Sequence, residues 1–235
     1  MRGVDPDLFL AMETNAWWDG RLAGLRDRLP HGVRHVPHTH GFYGMHLFSR
    51  HELVEPRVEF PFDASTPMVS TGVRLPGGGT VFFQGLHPRP PLWSQPATLR
   101  DAQLLSAALD ARASALPAVL AGDFNAVPWA RVVRRAARIG GLLDPRVGRG
   151  LHPTFDATRG PLVSWPIDQV LHQGGFALLA FRVLPAFGSD HYPVLADLCL
   201  GQGAAAKQAA PALAAGDIEE ARAAIAAARA VAGAR

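Results

Sequence analysis

Cysteine is almost missing: Cys199 is the only one in 235 residues. No internal disulfide and no cysteine-based zinc centre can be built from it. Its place in an apolar closing run reads as a small buried hydrophobe. Long apolar runs are missing too. None approaches the roughly 18–20 residues that span a bilayer, and Arg2, Asp5 and Asp7 interrupt any signal-peptide core. The sequence leaves the compartment open. Blocks of like charge are also absent. Twenty-three Lys and Arg against 20 Asp and Glu give a formal net charge of +3, without a basic tail of the kind that grips nucleic acid. That mild bias suits a phosphate-bearing substrate, and equally a soluble surface off neutrality.

What is present is enough apolar content, 48% of residues, for one well-buried domain. Residues 1–200 are read as that domain. The apolar run Leu8 to Met12 reads as a buried strand delivering Glu13 at its end. Trp18, Leu22, Leu25 and Leu29 recur at helical spacing, so one helix is expected from Ala16 to Leu29, stopped by Pro30. Short strands are expected at Val33–Pro37, Gly44–Ser49 and Val54–Phe60, and a hairpin from Met68–Leu75 and Thr80–Leu86 around Pro76-Gly77-Gly78-Gly79. A helix between Pro96 and Ala115, capped by Thr98 or Ser94, leads to a strand at Ala118–Ala121. A third helix, Trp129 to Ile139, ends at Gly140-Gly141. Ser164–His172 and Phe176–Leu184 read as a strand pair around Gly174-Gly175, and Pro193–Leu200 as a last strand. Irregular alternation with hairpins points to an α+β layered fold. Residues 201–235 are Ala-rich; Gly216-Asp217 could start a helix through Val231, but alanine buries little area, so a weakly docked peripheral tail is expected.

The residues suited to chemistry gather at strand ends. Gly122-Asp123-Phe124-Asn125 follows a buried strand, and an Asp and an Asn two apart point the same way on an extended chain. The carboxylate could serve a metal or an incoming water and the amide a phosphate oxygen; the competing reading is an Asx-turn. Gly188-Ser189-Asp190-His191 offers a carboxylate and an imidazole, or a solvated turn. Asp168 sits inside an otherwise apolar strand, where a charge is costly unless partnered, and a histidine is the natural partner. Glu13 would suit a hard metal ion such as magnesium or manganese, or a helix N-terminus. His87 or Arg89, after another strand, could face a phosphate, or lie in a rigid Pro-rich loop. His38-Thr39-His40 reads as an exposed loop, and the five tryptophans as core or rim rather than base-stacking platforms.

Taken in order, Glu13, His87, the Gly-Asp-Phe-Asn segment, Asp168 and the Ser-Asp-His triplet resemble the endonuclease/exonuclease/phosphatase superfamily. Four stretches look like one bacterial branch of it: Gly44 to Arg50, His87 to Pro91, Leu142 to Gly150, and Phe187 to Pro193. The likeness runs from about Asp5 to Leu200. It implies a four-layer sandwich of two packed mixed β-sheets flanked by helices, and hydrolysis of a phosphate ester, nucleic acid being the leading substrate. The sequence leaves the oligomeric state open, a monomer being the expectation. Residue by residue, the likeness implies that Glu13 binds Mg2+ or Mn2+ with Asp190 close by, that Asp123 orients or deprotonates the attacking water, and that Asn125 holds a phosphate oxygen. Asp168 would pair with His191, which acts on the phosphate as acid/base or charge stabiliser, with His87 as a further phosphate-facing residue. Family members begin with a strand carrying an Asn of the metal and phosphate site, and nothing before Asp5 can be that strand. An N-terminally truncated, catalytically weakened domain that binds phosphorylated ligands without turnover is the alternative. Relatives in this branch often carry membrane-spanning helices ahead of the domain, so the chain is expected to be soluble as given and membrane-tethered if an upstream segment is missing. The absence of a long basic or aromatic insertion weighs against a DNA-specific enzyme.

Overall fold

The computed structural model describes residues 3–37, 43–91, 97–201, 203 and 208–233. His38, His40, Trp93 and Ser94 lie outside them. Eleven strands among the described residues form two layers. The larger is a six-stranded mixed sheet ordered β4 (Leu53–Glu59), β5 (Met68–Arg74), β6 (Thr80–Leu86), β7 (Ala118–Asp123), β9 (Asp168–Gln173) and β8 (Leu142–Leu143). Only β6 and β7 run parallel, and the long connection that this demands is supplied by α2 (Thr98–Ala113). The facing layer comes in two pieces, β1 (Leu8–Thr14), β3 (Gly44–Ser49) and β2 (His31–His35), and the antiparallel pair β10 (Phe176–Val183) and β11 (Val194–Leu200). Among the described residues no strand joins the pieces.

Period-two alternation explains the layering. On β7, Val119 and Ala121 face a core shared with Met45, Leu47, Val69, Val73, Val81, Phe83 and Phe176, between the two sheets. Ala118 and Leu120 face the opposite way, into a second core with Leu104, Leu105 and Ala108 of α2 and Val133, Ala136 and Ile139 of α3 (Arg131–Gly140). Each large side chain so buried contributes about 1.5–3 kcal/mol. On β3, Met45 and Leu47 point inward, while His46 turns outward to Asp19 of α1 (Ala16–Leu22). That places α1 over the outer face of the smaller layer. Helix, sheet, sheet, helix is the α+β sandwich that the sequence led one to expect.

Several local expectations need correction. The first helix is not continuous to Leu29: α1 ends at Leu22 and passes into a 3-10 turn, Ala23–Asp27, consistent with the weak helix preference of Gly20 and Gly24. Thr98 is the first residue of α2, not its cap; Ala97 takes the cap position without a side-chain hydrogen bond. β9 and β10 are not partners. Gly174-Gly175 carries the chain from the large sheet to the β10–β11 pair instead. Cys199 is exposed rather than buried.

The Ala-rich end is not weakly docked either. Its helix α4 (Asp217–Gly233) inserts Ala221, Ile225 and Ala228 into the core that α2 and α3 share. Alanine buries little area but allows close approach. Asp217, 2% exposed, accepts hydrogen bonds from Arg138, at 2.7 Å on both carboxylate oxygens, from Arg135 and from the Ala214 N–H.

Candidate active site

Each candidate residue sits where a strand ends. Glu13 is the extra residue of a β-bulge: Met12 pairs with Met45 and Thr14 with Gly44, leaving Glu13 unpaired in the left-handed region at φ 56°. A bulge re-aims a side chain away from the strict alternation of a strand. Two neighbours hold it. Gly44 is required, because a Cβ there would lie 1.7 Å from the Thr14 carbonyl oxygen. Thr14 Oγ1 lies 2.8 Å from Nδ1 of buried His46, whose Nε2 is 2.9 Å from Asp19 Oδ1. The Asp19 carboxylate only accepts, so His46 donates to it from Nε2. The Asn15 side chain then caps α1 through the N–H groups of Trp17 and Trp18, so the residue that starts this helix is Asn15 rather than Glu13.

Asp123 and Asp168 end adjacent antiparallel strands and are register partners. Asp123 is 5% exposed. Burial, then the neighbouring Asp168 charge, raises its pKa against the opposing influence of His191 and the Asn125 N–H. Asn125 does not continue the strand. Its φ is 48°, its N–H donates to Asp123 Oδ1 at 2.7 Å, and its Nδ2 donates to the Pro88 carbonyl at 2.9 Å. The extended alternation expected from sequence is therefore replaced by an Asx-turn, and the amide is braced against the loop after β6.

His191 lies 2.7 Å through Nδ1 from Asp168 Oδ2, and 3.8 Å through Nε2 from Asp123 Oδ2. Its ring packs on Phe155, centroids 4.8 Å apart. Burial disfavours the charged ring, but the hydrogen bond to Asp168 and the charges of Asp168, Asp123 and Asp190 outweigh it and raise its pKa to about 9. His87 behaves oppositely. It is 2% exposed, its Nε2 is 3.6 Å from Glu13 Oε1 and 3.8 Å from Asp123 Oδ2, and burial lowers its pKa to about 4. It is thus a neutral ring wedged beneath two carboxylates. Arg89 turns away to Asp63 and Thr66.

The structure brings Glu13, His87, Asp123, Asp168 and His191 together, with Asn125 bonded to Asp123. Asp190 is exposed and more peripheral, yet its charge raises the pKa values of both Glu13 and His191. Burial is the larger influence on Glu13. Crowded carboxylates with hard oxygen donors favour a divalent cation. Among the described residues no three His, Cys, Asp or Glu side chains form a ready metal cluster. Magnesium commonly binds through one or two carboxylates and retains water, and Glu13 and Asp190, close enough for the charge of one to act on the other, are the carboxylates that could hold it.

Residues without obvious sequence signal support these groups. Thr154, fully buried, receives the Asp168 N–H on Oγ1 and donates the same hydroxyl to the Trp165 carbonyl. Phe155 bridges both Trp165 and His191. Arg146 and Gln169 form a buried network behind Asp168. A threonine in a loop carries no periodicity. Arg146 stood in the sequence only as part of the family-like stretch Leu142 to Gly150, with nothing to mark its buried partners.

A two-layer β-sandwich with paired acids and an acid-held histidine at its strand ends is an arrangement suited to acid–base chemistry. The family comparison makes it specific: residues 1–191 match the Endonuclease/Exonuclease/phosphatase family, and the chain belongs to that family, whose members are hydrolases acting on phosphoesters. Similar solved structures include an endonuclease/exonuclease/phosphatase from Beutenbergia cavernae (TM-score 0.67, 24% identity, covering 83% of this chain and 63% of that one). The human Nocturnin catalytic domain with bound sulfate is similar (TM-score 0.66, 17% identity, 83% and 82% covered), as is D. rerio TDP2 complexed with a single-strand DNA product (TM-score 0.63, 15% identity, 83% and 86% covered). The chain thus spans less than two thirds of the B. cavernae protein. No curated protein sequence matches.

Proposed function

We propose that the chain hydrolyses phosphodiesters by in-line attack of water on phosphorus, with Mg2+ or Mn2+ as cofactor. The observation that carries this reading is the Asp168–His191 pair at 2.7 Å, opposed to buried Asp123 at 3.8 Å. Asp168 holds the imidazole in one orientation by receiving Nδ1–H, leaving Nε2 free to face the phosphoryl group. With its pKa raised to about 9, His191 carries positive charge at neutral pH and offsets the charge developing on phosphoryl oxygens. Asp123, made more basic by burial, orients the incoming water and takes its proton. His87, neutral, supports Glu13 and Asp123 from below. Asn125 keeps Asp123 aimed through its N–H and presents what remains of its amide to a phosphate oxygen. Glu13 and Asp190 would hold the metal, which supplies Lewis acidity to the phosphoryl oxygens.

Nucleic acid is the leading substrate. Exposed aromatic side chains lie within four residues of the groups they flank: Trp17 near Glu13, Trp129 near Asn125, Trp165 near Asp168 and Phe187 near His191. Bases can stack on such faces without sequence preference. The test is hydrolysis of bis(p-nitrophenyl) phosphate and of a single-stranded oligonucleotide with magnesium or manganese, before and after EDTA. Asp123→Ala and His191→Ala should each lose about 10²–10⁴-fold in rate. Equal rates in the wild type and both variants would overturn the reading.

A further inference from the structure

The stretch Leu142 to Gly150 supplies no group that faces a reacting atom, yet it contains a buried charge. Arg146 is 4% exposed. Its Nε and Nη2 reach Asp144 Oδ1 at 2.9 Å and Oδ2 at 3.0 Å, a bidentate pair. Nη1 donates to the carbonyls of Pro166 and Asp168, both at 3.3 Å, and Nη2 to Gln169 Oε1 at 2.9 Å. Gln169 in turn donates through Nε2 to the Ala126 carbonyl at 2.6 Å. One guanidinium therefore ties the start of β9, which carries Asp168, through Gln169 to the turn that follows Asp123 at the end of β7 and carries Asn125. These are the strand ends whose register sets Asp168 opposite Asp123.

Stability alone accounts poorly for this arrangement. Replacing a buried ion pair by apolar groups of similar volume is often neutral or stabilising. What an apolar residue cannot do is hold three separate backbone and amide acceptors in one plane, which the fixed fork of guanidinium N–H groups does. From the other side, the Asp168 N–H is held by Thr154 Oγ1 at 3.2 Å. The backbone of Asp168 is thus pinned at both its N–H and its carbonyl.

We infer that Arg146, set by Asp144, is a positioning residue for the reaction: it fixes the backbone of Asp168, and through it the orientation of the His191 imidazole relative to Asp123. The inference rests on the hydrolase reading for its kinetic consequence. Its structural consequence, the geometry of the Asp168–His191 hydrogen bond, stands apart from turnover.

The experiment uses the full 235-residue chain and the variants Arg146→Lys, Asp144→Asn and Asp168→Asn, with bis(p-nitrophenyl) phosphate and manganese. Arg146→Lys should lower kcat by about 10- to 100-fold, with KM changed less than about threefold. The double variant Arg146→Lys/Asp168→Asn should be no slower than Asp168→Asn alone within about threefold, because both act through one contact. The low-field proton signal of the His191 Nδ1–H in the wild type should shift or broaden in Arg146→Lys. Asp144→Asn, which keeps the side-chain shape, should show the same changes in smaller measure. An unchanged kcat in a folded Arg146→Lys, losses that multiply in the double variant, or an unmoved His191 proton would each overturn the inference. So would unfolding of both Arg146→Lys and Asp144→Asn, which would reduce the network to a stability role. If the wild type does not turn over, the hydrolase reading fails, and the proton signal still decides the clamp.

Discussion

At the scale of single residues, the site depends on backbone conformations that the side chains alone would not choose. Glu13 and Asn125 both occupy left-handed backbone, at φ 56° and 48°, which costs a non-glycine residue free energy and persists only where the surroundings over-determine it. For Glu13 the surroundings are Gly44, Thr14 and His46. Gly44→Ala should therefore straighten or expel the bulge. We expect a loss of about 1–3 kcal/mol or more in urea denaturation, and a drop in activity that added manganese restores only in part. Full wild-type activity in this variant would show that the Glu13 geometry is dispensable. Asp168→Asn keeps the size of the side chain but removes the charge that favours imidazolium. Its kcat on a phosphodiester should fall by about 10- to 100-fold with little change in melting temperature, and a stability loss without a rate loss would refute that role.

At the scale of elements, α4 shows how a low-area helix can still be anchored. Its alanines let it approach α2 closely, and Asp217 fixes its start against α3 through Arg135 and Arg138. The hydrogen bond from Arg138, opposed by burial and aided by the Ala214 N–H and Arg135, holds the Asp217 carboxyl well below the usual carboxylate range. An acid whose pKa is depressed on folding stabilises the fold above its unfolded pKa, and that contribution drains away as pH falls toward the depressed folded value. Asp217→Asn should therefore cost about 1–3 kcal/mol at pH 7. The difference between variant and wild type should shrink only as pH drops below the ordinary aspartate value of 3.8. Chemical denaturation across pH 2–7 checks both the magnitude and the sign; a gap that widened on acidification would contradict the linkage.

At the scale of the molecule, the two layers bring together strand ends that are far apart in sequence, and exposed Trp129 and Trp165 lie within four residues of Asn125 and Asp168. Trp129→Ala and Trp165→Ala should raise KM for a single-stranded oligonucleotide, each by an amount worth about 1–3 kcal/mol per stacked base. Their KM for bis(p-nitrophenyl) phosphate should stay close to wild type. Equal effects on both substrates would assign these residues to the shape of the site rather than to base stacking.

Much of this architecture was legible in the chain. Turn-rich flanks marked β3, and the glycine hairpin marked β6, at their observed limits, Gly141 in left-handed conformation ends α3 where a C-terminal glycine was expected, and the family motifs stood in order along the sequence. These features are local: a strand's period, a turn's glycine or a four-residue motif is written in neighbouring residues. Partners were not legible. That β9 pairs with β7 and β8 rather than β10, and that an alanine-rich helix has a waiting groove and two arginines to receive its first aspartate, depend on contacts distant in sequence. Glu13 was marked as a strand-end acid by sequence. The bulge that aims it beside His87, and the Arg146 network behind Asp168, came from tertiary structure alone, because a hydrogen bond's energy depends on distance and direction, which a linear order of residues does not carry.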